Sequence, residues 1–317
     1  MESRKILVTG GAGFLGSNLV KRLLSEGHIV TCLDDMSFSM PEHVAAFSDH
    51  PRFSFLQQDV RDPIKGDFEQ IYNFACPASP PAYQRDPIKT VLTNVLGIKN
   101  MLDLARRNGA RLVQASTSEV YGDPREHPQR ESYQGHVKTM GPRACYDEGK
   151  RCAETLIHDH VSQFDVDARV ARIFNTYGPG MRPDDGRVVS NFIVQALKGE
   201  NLTVYGDGRQ TRSMCFVDDL IEGLVRLMAC ENVDVHPVNL GNPREMMIVD
   251  FAKTILAQIN SGSQIRYLSA AIDDPHVRCP DITRARDVLG WRPKITLEEG
   301  LPHTIRHFAD LLGVPVP

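Results

Sequence analysis

Tyr146 and Lys150 stand four residues apart in "CYDEGK", and "STSEVYGDP" sets Thr117, Ser118 and Glu119 in a row. A phenol and an ammonium at i,i+4 share one face of a helix. The ammonium is expected to stabilise the phenolate and lower the tyrosine pKa from its usual ~10. Such a tyrosine takes a proton from an alcohol while a hydride leaves the same carbon. Taken alone, this spacing is better explained by a surface tyrosine and a surface lysine. It gains weight only beside a hydride acceptor.

The acceptor is indicated at the other end of the chain. "VTGGAGFLG" places Gly10, Gly13 and Gly16 between an apolar run and a helical pattern, and Gly11, Gly13 and Gly16 also satisfy G-x-G-x-x-G. Glycines there let the backbone turn tightly and approach a pyrophosphate whose charge rests on the helix N-terminus. Asp34 follows 18 residues after Gly16, where an acid binds a ribose 2′-hydroxyl and repels a 2′-phosphate. The expected cofactor is therefore NAD rather than NADP. Asp59 is placed to meet the adenine.

Alternating elements must position these groups. Short β-branched runs at Lys5–Thr9, Ile29–Asp34, Phe53–Asp59, Gln70–Ala75, Arg111–Ser116 and Val166–Ile173 read as strands, and Phe14–Gly27 has helical spacing. The expected fold class is α/β, a Rossmann-type doubly wound parallel sheet with a smaller C-terminal substrate-binding lobe. Residues 1–178 form the expected NAD-binding domain, with returning segments near 209–240; residues 179–317 are mainly the lobe. Two helices, Thr90–Arg107 and Tyr146–Phe164, carry more apolar residues than one buried face needs. A second face on a partner subunit is expected.

The 317 residues suffice for such a core. With 24% charged residues and a net charge of −4, no global field attracts nucleic acid or an anionic membrane, and an anionic substrate needs local arginines. No basic stripe interleaved with aromatics indicates nucleic-acid binding. Seven cysteines without a C-x-x-C pair fit reduced thiols in a cytoplasmic protein. "HDH" at His158–His160 puts its rings apart on a helix, so no metal site is expected. No apolar run approaches the ~20 residues of a spanning helix, so no membrane partner or N-terminal anchor is expected.

The motifs "TGGAGFLG", "STSEVYG", "YDEGK" and "RIFNTYGPG" resemble those of the extended short-chain dehydrogenase/reductase family, over essentially the whole chain. Longer stretches, among them "ACPASPPAYQRDPIKT", "GPRACYDEGKR" and "DDPHVRCPDI", are similar to the branch that decarboxylates UDP-glucuronate. The resemblance implies a tightly bound, recycled NAD and a UDP-sugar substrate. The related 4,6-dehydratases carry an Asp-Glu pair after the threonine; Ser118 stands at the Asp position here and is a poor acid for expelling hydroxide. The C4 epimerases generally lack the acid that is Glu119.

By resemblance, Thr117, Ser118, Glu119, Tyr146, Lys150 and Arg278 form the catalytic group. Phe14, Leu15, Val60, Phe74, Cys76, Thr93 and Thr176 add cofactor contacts. Asn175, Arg187, Tyr205, Arg212 and Arg278 line the sugar-nucleotide site, and Tyr83 meets the sugar from a loop. Glu119 is expected either to hold the water or acid that reprotonates the enolate, with Arg278, or to orient the sugar ring. A homodimer through a four-helix bundle is implied. Departures from the branch are Cys279, Gln134 and Met214–Asp219. A dehydratase, epimerase or reductase of another nucleotide sugar, and a non-catalytic NAD-binding sensor, are the alternative functions.

Overall fold

The computed structural model describes residues 2–269 and 277–315. Six strands appear in chain order: β1 Lys5–Thr9, β2 Ile29–Asp34, β3 Phe53–Gln57, β4 Gln70–Asn73, β5 Arg111–Thr117 and β6 Ala168–Ile173. A further strand, Val238–Leu240, returns from late in the chain to flank β6. The sheet runs Val238–Leu240, β6, β5, β4, β1, β2, β3, and each pairing is parallel. Successive strands leave β1 first toward β3 and then, from β4 onward, the other way. The switch lies between β1 and β4, and ligands of open α/β sheets bind outside the strand ends at that point.

Burial on both faces explains why these strands are near-continuous apolar runs. Ile6, Leu7, Val8, Leu33, Ile71, Leu112 and Val113 have no exposed surface. Smaller sheets frame the second lobe: Thr211–Ser213 pairs antiparallel with Glu245–Met247, and Leu202–Tyr205 pairs parallel with Ile265–Leu268.

The elements differ from the sequence expectations mainly at their ends. β3 stops at Gln57, so Asp59 lies in the following turn. The expected helix Thr90–Arg107 is three pieces: Pro87–Leu92, a π turn at Thr93–Gly97, and Ile98–Asn108. Hydrophobic periodicity does not register a wide turn of this kind. At the turn, Gly97 packs so closely on Val60 that a Cβ would lie 2.8 Å from its Cγ2. The second long helix starts at Ala144 and ends at Phe164, where Asp165 adopts a left-handed φ of 54°. Cys152, within that helix, is exposed.

Candidate active site

One cavity of about 830 Å³ spans the C-terminal ends of β1, β4 and β5 and the mouth of the second lobe. It opens on the glycine loop. Gly10 has φ +65°, and a Cβ there would lie 2.8 Å from the Phe74–Ala75 backbone. At Gly16 a Cβ would lie 2.1 Å from the Gly10 carbonyl oxygen, so only hydrogen fits. The Asp34 carboxylate organises the rim: it accepts from Ala12 N at 3.1 Å, Met36 N at 2.9 Å and Ser39 Oγ at 2.9 Å. Burial pushes its carboxyl up, and these donors oppose the rise. Asp59 is clamped by Arg61, with Nη2 at 2.7 Å.

A backbone cradle that a side chain would fill, with an acid at its edge, fits a dinucleotide. All the residues expected to touch NAD line this cavity: Gly10, Gly13, Phe14, Leu15, Gly16, Asp34, Asp59, Val60, Phe74, Cys76, Thr93, Tyr146, Lys150 and Thr176.

β5 delivers the next groups. Thr117 ends the strand, and its Oγ1 accepts from Glu119 N at 3.2 Å, capping a short turn over Ser118–Tyr121. Thr117, Ser118 and Glu119 all reach the cavity wall. Tyr146 and Lys150 approach from the helix Ala144–Phe164, 5% and 3% exposed. Lys150 Nζ lies 5.7 Å from the centre of the Tyr146 ring and donates to the Ala115 carbonyl at 2.8 Å. The lysine is therefore anchored on β5, and its own pKa is lowered by burial. Burial pushes the Tyr146 phenol up rather than down, while Thr117 and Arg187 oppose the rise. The lowering expected from Lys150 is not seen: burial dominates, and the groups that oppose it are Thr117 and Arg187.

Glu119 lies in a cluster of positive charge. Arg278 grips its carboxylate with both terminal nitrogens, Nη2 at 3.0 Å, and Arg143 Nη1 adds a bond at 3.2 Å. Burial would raise this carboxyl, but Arg278, Arg143 and Arg212 hold it below the usual carboxylate range. Sequence reasoning assigned no role to Arg143. It sits in the quoted "GPRACYDEGKR", yet nothing in its spacing to Glu119 marks it. Asn94 was missed as well. The π turn aims its amide at Cys76 Sγ, 3.1 Å away.

Asn175, Arg187, Tyr205, Arg212 and Arg278 line the same cavity, toward the second lobe. Arg187 pairs with Asp185 at 3.2 Å. Tyr83 is the exception. It lies in the helix Pro80–Arg85, not in a loop, is 2% exposed, and is not part of the cavity wall. Its ring stacks on Tyr146 with centres 5.1 Å apart and planes 7° from parallel. Tyr83, expected to meet the sugar from a loop, instead packs its ring against Tyr146 from the helix Pro80–Arg85, off the cavity wall.

The "HDH" histidines are occupied singly, His158 with Asp159 at 3.2 Å and His160 with the Leu156 carbonyl at 2.8 Å. One trio of ligand-type side chains is gathered among the described residues: His127, Glu245 and Cys279. It is complete as a hydrogen-bonded group. His127 meets Glu245 at 2.9 Å, and the Cys279 thiol, pushed up to about 12 by burial, donates to the Pro243 carbonyl at 3.3 Å.

Comparison with known proteins agrees with this geometry. The model of the NAD dependent epimerase/dehydratase family matches residues 6–241. UDP-glucuronic acid decarboxylase 1 of Xenopus tropicalis is 54% identical over 307 residues, 97% of this chain and 72% of the relative. UDP-glucuronic acid decarboxylase 5 of Arabidopsis thaliana is 51% identical over 314 residues, 99% of this chain and 92% of the relative. The crystal structure of UDP-glucuronic acid 4-epimerase from Bacillus cereus, in complex with UDP-glucuronic acid and NAD, superposes with a TM-score of 0.86 at 26% identity, covering 97% of this chain and 99% of that one.

The glycine loop yields a direct prediction. Gly16→Ala places a methyl group against the Gly10 carbonyl, so NAD binding weakens by roughly tenfold to a hundredfold and the melting temperature falls. A cofactor titration checks it, and unchanged affinity would show that this loop is not the dinucleotide cradle.

Proposed function

The chain belongs to the NAD dependent epimerase/dehydratase family, and on that premise we propose that it converts UDP-glucuronate to UDP-xylose and CO2. The observation that carries this reading is the pairing of Ser118, which is not an acid, with a Glu119 held ionised by arginines. Loss of water from C6 needs a proton donor there; loss of CO2 does not.

NAD, when bound, supplies the hydride acceptor for C4 and returns the hydride at the end of the cycle. Tyr146 in its phenolate form takes the proton of the 4-hydroxyl, with Thr117 bonded to its oxygen, and gives the proton back to the C4 oxygen when the hydride returns. The oxidised sugar is a β-keto acid, and its C6 carboxylate leaves as CO2 while the electron pair moves into an enolate. Thr117, Ser118 and Tyr146 present hydroxyls to that oxyanion from a buried, preorganised wall. Arg187 and Arg212 face the anionic groups of the sugar nucleotide, with Asn175 and Tyr205 beside them. Arg278 acts by fixing Glu119. Lys150, seated on the Ala115 carbonyl, fixes the cofactor's ribose side of the cavity.

The proposal extends to assembly and location. Ile88, Val91, Leu92 and Leu96 are exposed on the helix Pro87–Leu92 and the π turn that follows, at 73%, 36%, 37% and 40%. Four apolar side chains on one helical segment fit a second copy of this chain, with the adjoining Ala144–Phe164 helix completing a four-helix bundle. Seven free cysteines support a reducing, cytoplasmic setting. Among the described residues, no helix is long and apolar enough to cross a membrane.

Two measurements follow. Tyr146→Phe keeps NAD binding but lowers CO2 release from UDP-glucuronate by about a thousandfold, within the range for loss of an acid–base group; wild-type turnover in that variant would sink the assigned mechanism. Leu92→Glu converts a dimer to a monomer in sedimentation equilibrium, and an unaltered sedimentation profile would place the interface elsewhere.

A further inference from the structure

The trio His127, Glu245 and Cys279 takes no part in the proposed reaction. Its members come from three places in the chain: the loop after the turn Ser118–Tyr121, the strand Glu245–Met247, and the C-terminal segment just past Arg278. They lie far apart in sequence, so no ligand spacing marks them. Folding brings one ligand-type atom of each to within 4.8 Å of the other two. An imidazole, a carboxylate and a thiol are ligands of the kinds that hold a zinc ion.

Surrounding bonds orient these groups. Thr211 Oγ1 donates to Glu245 Oε1 at 2.7 Å, which leaves Oε2 turned to His127, 2.9 Å from its Nε2. The Cys279 backbone is pinned by Gln129, itself fully buried. Cys279 N donates to Gln129 Oε1 at 2.8 Å, and Gln129 N donates to the Cys279 carbonyl at 2.9 Å. Outer partners of this kind set the direction of metal ligands. Cys279 is buried, while the His127 side chain is 45% exposed and gives an ion a way in.

We propose that His127, Glu245 and Cys279 bind one divalent cation of the zinc class, with the Pro243 carbonyl or a water in the fourth position. Charge supports this occupant. A thiolate and a carboxylate cancel the charge of a divalent ion, and the imidazole stays neutral, so the buried side of the site carries no excess charge. Thiolate and imidazole favour zinc over magnesium or calcium, which take oxygen ligands. A tetrahedral ion spaces its ligand atoms by roughly 3.5 Å, and the exposed His127 ring swings to meet that spacing. On binding, the Cys279 S–H bond breaks, its proton goes to solvent and a metal–sulfur bond forms; nothing is oxidised or reduced. The hydrogen bond from Cys279 to Pro243 and the His127–Glu245 pair belong to the metal-free form.

The position gives the ion an effect. Cys279 directly follows Arg278, whose carbonyl accepts from Ser213 Oγ at 3.2 Å. Glu245 and Met246 stand opposite Ser213 and Arg212 in the antiparallel pair. The ion therefore braces the two segments that carry Arg278 and Arg212 to the cavity. No step of the decarboxylase reading runs through it, and neither inference depends on the other.

Cobalt(II) is the probe, because it occupies zinc sites and is strongly coloured in them. Wild type, Cys279→Ser and His127→Ala are titrated with cobalt chloride and then zinc chloride, following absorbance and melting temperature. Wild type develops the visible bands of tetrahedral cobalt and a near-ultraviolet thiolate-to-cobalt band, both saturating at one equivalent and both bleached by zinc. Saturating zinc raises its melting temperature by about 5 °C, because the ion binds the folded chain. Both variants bind cobalt about a hundredfold more weakly, so the thiolate band is missing at the concentration that saturates wild type. Wild type without that band, or a band that survives either substitution, overturns the proposal; with seven cysteines in the chain, the second outcome assigns the ion to another thiol. His127→Ala removes only an exposed ring, and it decides the matter should Cys279→Ser fail to fold.

Discussion

A carboxylate buried among arginines is the constraint on which the site depends. Taking Glu119 out of water costs several kcal/mol unless its charge is met by well-placed donors. Arg278 and Arg143 meet it directly, and Arg212 adds its field. The bond to Arg278 joins residues 159 positions apart, so the C-terminal segment must return to the sheet before the cavity is complete. One ion cluster thus joins the turn after β5, the start of the tyrosine helix and the second lobe. It also leaves net positive charge facing the cavity, although the chain as a whole carries −4.

The parallel sheet supplies the rigid frame for this cluster. β1 ends in the glycine loop and β5 ends in Thr117. The tyrosine helix crosses those ends with Tyr146 and Lys150 turned inward, the lysine bonded back to β5 through Ala115. Thr117, Ser118, Glu119, Tyr146 and Lys150 therefore sit on a regular element or within two residues of its end. Such sites are held more tightly than sites carried on long loops. The same packing sets the electrostatics. It raises the tyrosine and lowers the lysine, while the arginines, against the effect of burial, hold Glu119 ionised.

What could be read in the sequence followed from distance along the chain. The glycine loop, the Tyr146–Lys150 pair and the Thr117–Glu119 run are local patterns, and each maps onto the cavity wall. The residues named through resemblance fall there too, apart from Tyr83. That residue was misplaced because an aromatic in a proline-rich stretch gives no sign of which wall it will stack against. Arg143 escaped for the same physical reason. Its partner Glu119 lies more than twenty residues away, and no periodicity encodes a contact made by folding. The π turn at Thr93–Gly97 is invisible to a 3.6-residue pattern, yet it sets the direction of Asn94.

The most direct test of the account is a proton NMR time course of the protein with UDP-glucuronate and catalytic NAD, with CO2 measured in parallel. The account predicts a new UDP-pentose anomeric signal, growing in step with an equal amount of CO2, and no lasting change in the NAD pool. A spectrum showing a C4 epimer or a 6-deoxy sugar without CO2, or no change while NAD remains bound, would contradict it.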